Sequence, residues 1–225
     1  MTPPSAAPSR RIFYLHGFAS SAQSTKGAYL ARRLAARGIP LNCPDFNEPD
    51  FESLTMTRML RQLEQELEVT DGEPPRAALI GSSLGGALAI LAAARWPDVV
   101  DRLVLLAPAV MFAKVGHHLL PPDRVAQWRR AGAMPFFHFG YGEERNLKVG
   151  FYDDSLQYDA FTTAFAQPTL IFQGRNDRSV DPRTVELFAR TRPNVTLTIL
   201  DDDHQLVASL PAIWAGIESF LNLAP

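Results

Sequence analysis

An α/β fold, with a mostly parallel six-stranded sheet flanked by helices, is predicted by three features of the sequence. Short apolar runs rich in β-forming residues alternate with longer segments of helical periodicity, the pattern that βαβ units produce. The runs are nearly continuous in apolar residues, as strands covered on both faces are. Proline and glycine fall where one kind of segment gives way to the next, and no internal repeat or low-complexity linker interrupts the order.

Taken in order, strands are expected at residues 11–16, 77–81, 103–106, 169–173 and 195–200, with a shorter one near 39–43. Helices are expected over 27–37, 54–69, 84–96, 183–190 and 211–223. One stretch breaks the alternation. Residues 110–166 are long, poorly periodic and dense in aromatics, among them Phe112, Trp128, Phe136, Phe137, Phe139, Tyr141 and Phe151. An insertion of this length between two sheet strands predicts a lid over a functional site, or else a satellite layer packed on a small core of its own.

Size and charge narrow the partners. The 225 residues suit a single domain spanning 1–225, able to bury a core without disulfides or metals. The net charge is −2, and the arginine pairs Arg10–Arg11, Arg32–Arg33 and Arg129–Arg130 lie far apart, so no basic stripe is available to track phosphates. Nucleic acid is excluded as a partner on that ground, and a small molecule is expected. The lone Cys43 is consistent with a reducing compartment, which makes a cytoplasmic location the expectation. The first 11 residues lack the apolar core of a signal peptide and read as a disordered tail, and no uncharged apolar stretch is long enough for a membrane span. No cofactor is expected, and no metal: the adjacent His117 and His118 have no further ligand at suitable spacing.

The chemistry is concentrated at three places. The strand ending at Gly81 runs into Gly81-Ser82-Ser83-Leu84-Gly85-Gly86 and straight on into a helix. A serine on so sharp a strand-to-helix turn sits in a strained backbone, and side chains two residues before and after it would collide with their surroundings. Ser83 alone has glycine at both positions, and Ser82 reads as filler. A serine hydroxyl requires a base. Of the five histidines, His117, His118 and His138 fall in the aromatic insertion and His16 is joined to Gly17. His204 remains, just beyond the last strand, at the carboxyl edge where ligand sites of open α/β sheets gather.

An acid must orient that imidazole. Asp177, after the strand at 169–173, also emerges at the carboxyl edge, and the order Ser83, Asp177, His204 suits this architecture. Asp153, Asp154, Asp159 and Asp181 compete for the role. Two backbone N–H groups could receive a developing oxyanion. Leu84 would supply one from a helix N-terminus, and Phe18, in Leu15-His16-Gly17-Phe18, the other.

His16-Gly17, Gly81-x-Ser83-x-Gly85, Gly174-x-x-Asp177 and His204 together resemble the α/β-hydrolase superfamily over residues 11–223, in that superfamily's own order. The run Leu15-His16-Gly17-Phe18-x-Ser20-Ser21-x-x-Ser24-x-Lys26 resembles, more narrowly, a branch of small bacterial esterases and thioesterases. The resemblance implies the α/β-hydrolase fold lacking its first hairpin. It also implies that Ser20, Ser21, Ser24 and Lys26 line or brace the loop beside the oxyanion site, against the plainer reading that they cap the helix near Gly27. The aromatic insertion is longer than the branch leads one to expect.

The function that follows is hydrolysis of a carboxylic ester or acyl thioester through an acyl-serine, with Phe112, Phe136, Phe137 and Phe139 lining an apolar acyl pocket. The alternatives keep the same triad for acyl transfer, perhydrolysis or carbon–carbon bond hydrolysis, or keep the pocket for non-catalytic ligand binding. The sequence is silent on oligomeric state.

Overall fold

A computed structural model describes residues 10–69, 76–112 and 120–223, and in it six strands form one sheet in the order β2-β1-β3-β4-β7-β8. These are β1 (Arg11–Leu15), β2 (Leu41–Asn42), β3 (Ala77–Ser82), β4 (Val100–Leu106), β7 (Thr169–Gly174) and β8 (Val195–Leu200). Every pairing is parallel. Side chains alternate across the sheet, so each strand feeds two cores. Phe13, Leu15, Leu79, Leu105 and Ile171 pack with α2 (Met56–Glu66), α3 (Leu84–Arg95) and α6 (Pro182–Arg190). Ile12, Tyr14, Ile80, Leu106 and Phe172 pack with α1 (Thr25–Ala35) and α7 (Leu210–Leu221). The near-continuous apolarity of the strands is the record of these two covered faces.

Strand order decides where a site can form. From β1 the chain moves outward to β2 through α1, then returns to β3 on the other side of β1 and continues the opposite way through α3. The loops leaving β1 and β3 therefore diverge and open a crevice at their carboxyl ends. The register aligns Leu15 with Gly81, so the segments that follow, 16–18 and 82–84, face each other across it.

Most expected elements are present with ends displaced by a few residues. The largest displacements are of three residues: α2 ends at Glu66 where 69 was expected, and β4 starts at Val100 where 103 was expected, because the charged Asp101 and Arg102 interrupt the apolar run while the ladder to β3 continues past a register shift at Asp101. Asp101 is held by Arg10 and the Arg102 guanidinium donates to the Phe220 carbonyl. The tail at 1–9 and the pair His117–His118 lie outside the described residues.

The insertion is built from α4 (Pro122–Ala131), an antiparallel hairpin of β5 (Ala133–His138) and β6 (Glu143–Lys148), and the short α5 (Gly150–Ser155). Trp128, buried, donates its indole N–H to the Leu147 carbonyl at 2.8 Å, which fastens α4 to the hairpin. On the hairpin Met134, Phe136 and His138 point inward while Phe137 points out. Among the described residues no helix is long and apolar enough to cross a membrane.

Leu105 is fully buried near the carboxyl end of β4, a central strand of the sheet flanked by β3 and β7. Leu105→Ala is expected to lower stability by about 2–5 kcal/mol. Urea denaturation checks this, and a loss well under 1 kcal/mol would contradict close packing at the sheet centre.

Candidate active site

Ser83 occupies the one-residue turn between β3 and α3 with φ 52° and ψ −115°, a backbone region that disfavours L side chains. Four main-chain hydrogen bonds hold it there, one of them from Ala87 N to its carbonyl at 3.3 Å. Its N–H donates to the Leu106 carbonyl at 2.9 Å, and its carbonyl accepts from Gly86 N at 2.9 Å and Ala109 N at 3.0 Å. The flanking glycines are required by close approach. A Cβ at Gly81 would lie 2.4 Å from the Gly85 carbonyl oxygen, and one at Gly85 only 2.1 Å from that of Leu15. Ser82 is buried within β3.

His204 lies in the turn after β8, half-buried, with Nε2 3.2 Å from the Ser83 Oγ. Its Nδ1–H donates to Asp177 Oδ2 at 2.8 Å. The Asp177 side chain has no solvent exposure. Oδ2 also accepts from Gln173 Nε2 at 2.9 Å, while Oδ1 accepts from the main-chain N–H of Ser179 at 2.8 Å and of Val180 at 2.9 Å. Burial pushes this carboxyl's pKa up. The His204 hydrogen bond, the Val180 N–H, the imidazole charge and the Gln173 amide together outweigh that and hold it below the usual carboxylate range. The two loops can approach because a side chain at Gly174 would collide with the Asp203 carbonyl oxygen, at 2.4 Å.

The competing acids are engaged elsewhere. Asp153 pairs with Arg129, Asp154 accepts from Thr57, Asp159 accepts from Thr162, and Asp181 caps α6. Asp202 and Asp203 accept main-chain N–H groups of the His204 turn and the start of α7.

Across the crevice, a Cβ placed at Gly17 would be 3.3 Å from the Ser83 Cβ and 4.0 Å from its Oγ, so the Gly17–Phe18 peptide borders the hydroxyl. The Phe18 N–H has no main-chain partner among the described residues. Leu84 opens α3, and the first N–H groups of a helix have no acceptor within it. His16 is buried. Its Nδ1–H donates to the Gly17 carbonyl at 2.9 Å and its Nε2 accepts from Phe46 N at 3.1 Å, leaving the 3.6 Å approach of Asp45 as a contact rather than an ion pair.

Of the serines near this loop, Ser24 caps α1 by accepting from Gly27 N, as the plainer reading holds. Lys26 does more: it is buried and donates Nζ to the Gln205 carbonyl at 3.0 Å, tying α1 to the His204 turn.

The four phenylalanines expected to line a pocket separate. Phe112 lines a tight, mostly apolar slot with Met56, Ala87, Leu91, Ala109 and Val110, with about 10 Å³ of free space. Phe136 instead packs edge-on against Phe18 and beside Trp128. Phe137 and Phe139 are 50% and 72% exposed and line no such slot, because β5 presents alternate residues to solvent and the turn carries Phe139 outward. Gln173 and Asn47 escaped the sequence reading, since a lone amide has no motif. His138, passed over in the sequence because it falls in the aromatic insertion, has both ring nitrogens hydrogen-bonded. Among the described residues no group of three or more His, Cys, Asp or Glu is placed to hold a metal ion.

Known structures share this architecture. Est1E from Butyrivibrio proteoclasticus, solved with ferulic acid bound, superposes with a TM-score of 0.79 at 20% identity over 98% of this chain and 91% of its own. The mouse alpha/beta hydrolase domain-containing protein 10 gives 0.77 at 19% identity over 97% and 92%. These likenesses establish the α/β-hydrolase fold. In sequence, the bifunctional biotin biosynthesis protein BioHC of Teredinibacter turnerae is 30% identical over 119 residues, half of this chain but only 20% of that protein's length. A family model covers nearly everything described, residues 11–221, and the chain accordingly belongs to the Uncharacterised protein family (UPF0227) within the α/β-hydrolase fold.

Proposed function

We propose that this protein is a serine hydrolase that cleaves a carboxylic ester or acyl thioester through an acyl-serine intermediate, with Ser83 as nucleophile, His204 as base and Asp177 as orienting acid. The observation that carries the reading is the line Ser83 Oγ, His204 Nε2, His204 Nδ1, Asp177 Oδ2, with hydrogen-bonded separations of 3.2 and 2.8 Å. With Nδ1–H committed to Asp177, the Nε2 lone pair faces the hydroxyl and can take its proton as Oγ attacks the carbonyl carbon. The oxyanion then settles between the Phe18 and Leu84 N–H groups, each worth about 3–4 kcal/mol in the transition state. His204 returns the proton to the departing alkoxide or thiolate. In the second half it deprotonates a water, which releases the acid and restores Ser83.

The neighbours favour this class. Est1E was solved with ferulic acid, a carboxylic acid. The slot beside Phe112 is too tight for a long acyl chain, which favours a short one. Ala87 lies one helical turn beyond Ser83 and Ala109 hydrogen-bonds the Ser83 carbonyl, so the slot adjoins the nucleophile's own backbone.

Two outcomes are expected. A fluorophosphonate should add once, at Ser83, and Ser83→Ala should not react, as intact-mass spectrometry would read; an unreactive wild type would sink the assignment. Among p-nitrophenyl esters, acetate and butyrate should be turned over faster than palmitate, and Ala87→Phe should depress butyrate more than acetate. Preference for palmitate in the wild type would show that the acyl chain lies elsewhere.

A further inference from the structure

We propose that His138 and Asn47 are positioning residues for the oxyanion loop, and that the β5–β6 hairpin is its fixed buttress rather than a door. The inference rests on the proposed role of the Phe18 N–H. That group must be aimed before the substrate arrives, since preorganised donors are effective because they need no rearrangement during reaction. The loop is not stable in its conformation unaided: Ala19, immediately after Phe18, has φ 49°, a strained value for a residue with a Cβ.

What holds the loop comes from the insertion and from the segment that follows β2. Phe139 N donates to the Ala19 carbonyl at 2.7 Å. Asn47 Nδ2 donates to the Ser20 carbonyl at 2.9 Å, and Asn47 Oδ1 accepts from His138 Nε2 at 3.0 Å. The other ring nitrogen of His138 accepts from Tyr141 N at 3.2 Å, within the hairpin turn. His138 is fully buried and Asn47 3% exposed. The imidazole stacks on Tyr141 at 3.9 Å and meets Phe51 edge-on at 4.8 Å. Phe51 and Phe136 in turn pack on the Phe18 ring, at 5.7 and 5.5 Å. Burial pushes the His138 pKa down, which keeps Nδ1 free to accept.

The geometry is that of a clamp with Phe18 between its jaws. On one side the Phe46 N–H holds His16, and on the other its neighbour Asn47 holds Ser20. The hairpin turn sits so close that a Cβ at Gly140 would be 2.9 Å from the Ser21 Cβ. Swinging the hairpin away would break the bonds to Ala19 and Asn47 together and strand buried polar groups, which is costly for each group left unpaired.

His138→Phe retains a ring for stacking but removes both polar atoms. It is expected to lower kcat on p-nitrophenyl acetate by about 10- to 100-fold, less than the roughly 10²–10³ of losing an oxyanion donor outright, with KM little changed. Binding of a trifluoromethyl ketone, which forms a tetrahedral adduct on serine, should weaken by the same factor, whereas the melting temperature alone would register a merely structural role. Asn47→Asp, which keeps shape and loses the donor to Ser20, should behave alike. Independently of any variant folding, the Phe139 amide of the wild type should exchange with deuterium as slowly as the amides of the sheet. Wild-type kcat and ketone affinity in both variants, or rapid Phe139 exchange, would overturn the buttress while leaving the triad intact. A wild type with neither turnover nor phosphonate labelling would instead overturn the proposed function, and the buttress with it.

Discussion

A carboxylate removed from water requires compensation, and Asp177 receives it from four N–H donors at once. Two are consecutive main-chain groups, Ser179 and Val180, one is the Gln173 amide, and one is the His204 imidazole. An isolated buried charge would cost many kcal/mol or take up a proton. Here the donors outweigh burial and keep the group ionised. The imidazole is thereby fixed in tautomer and in direction, so its remaining nitrogen faces Ser83. Remove the carboxylate and nothing else among its partners would orient that ring.

Arrangement of this kind depends on main chains coming closer than side chains allow. Gly81, Gly85 and Gly174 each stand where a Cβ would fall within 2.4 Å of a carbonyl oxygen, and these three contacts bring β3 to α3, α3 to β1, and the Asp177 loop to the His204 turn. The strand order supplies the rest by parting the loops after β1 and β3. The site thus arises from sheet topology and three missing side chains, with Lys26 and Gln173 reaching in from buried positions to hold the turns still.

The sheet and its covering helices were legible because burial on both faces writes itself as apolar runs, and turns write themselves as glycine and proline. Ser83, Asp177 and His204 were legible because each follows directly on such a run. The insertion was legible as an interruption, but its internal elements were not. In β5 the alternation is masked by Pro135 and by the exposed Phe137, and β6, Glu-Glu-Arg-Asn-Leu-Lys, buries only Leu147 and resembles a solvated loop. Aromatic density at 136–139 was read as a pocket, although one face of a two-stranded ribbon necessarily turns to solvent. Gln173, Asn47 and His138 act through single contacts with residues distant in sequence or with main chain, and neither spacing nor periodicity records such contacts.

The central claim, that the buried Asp177 aims His204 at Ser83, is tested most directly by a crystal structure of the Ser83-phosphonylated protein. The account predicts Nδ1 of His204 within hydrogen-bond distance of Asp177 Oδ2, and the phosphonyl oxygen between the Phe18 and Leu84 amides. A His204 ring turned from Ser83, with Asp177 bonded to some other group, would contradict it.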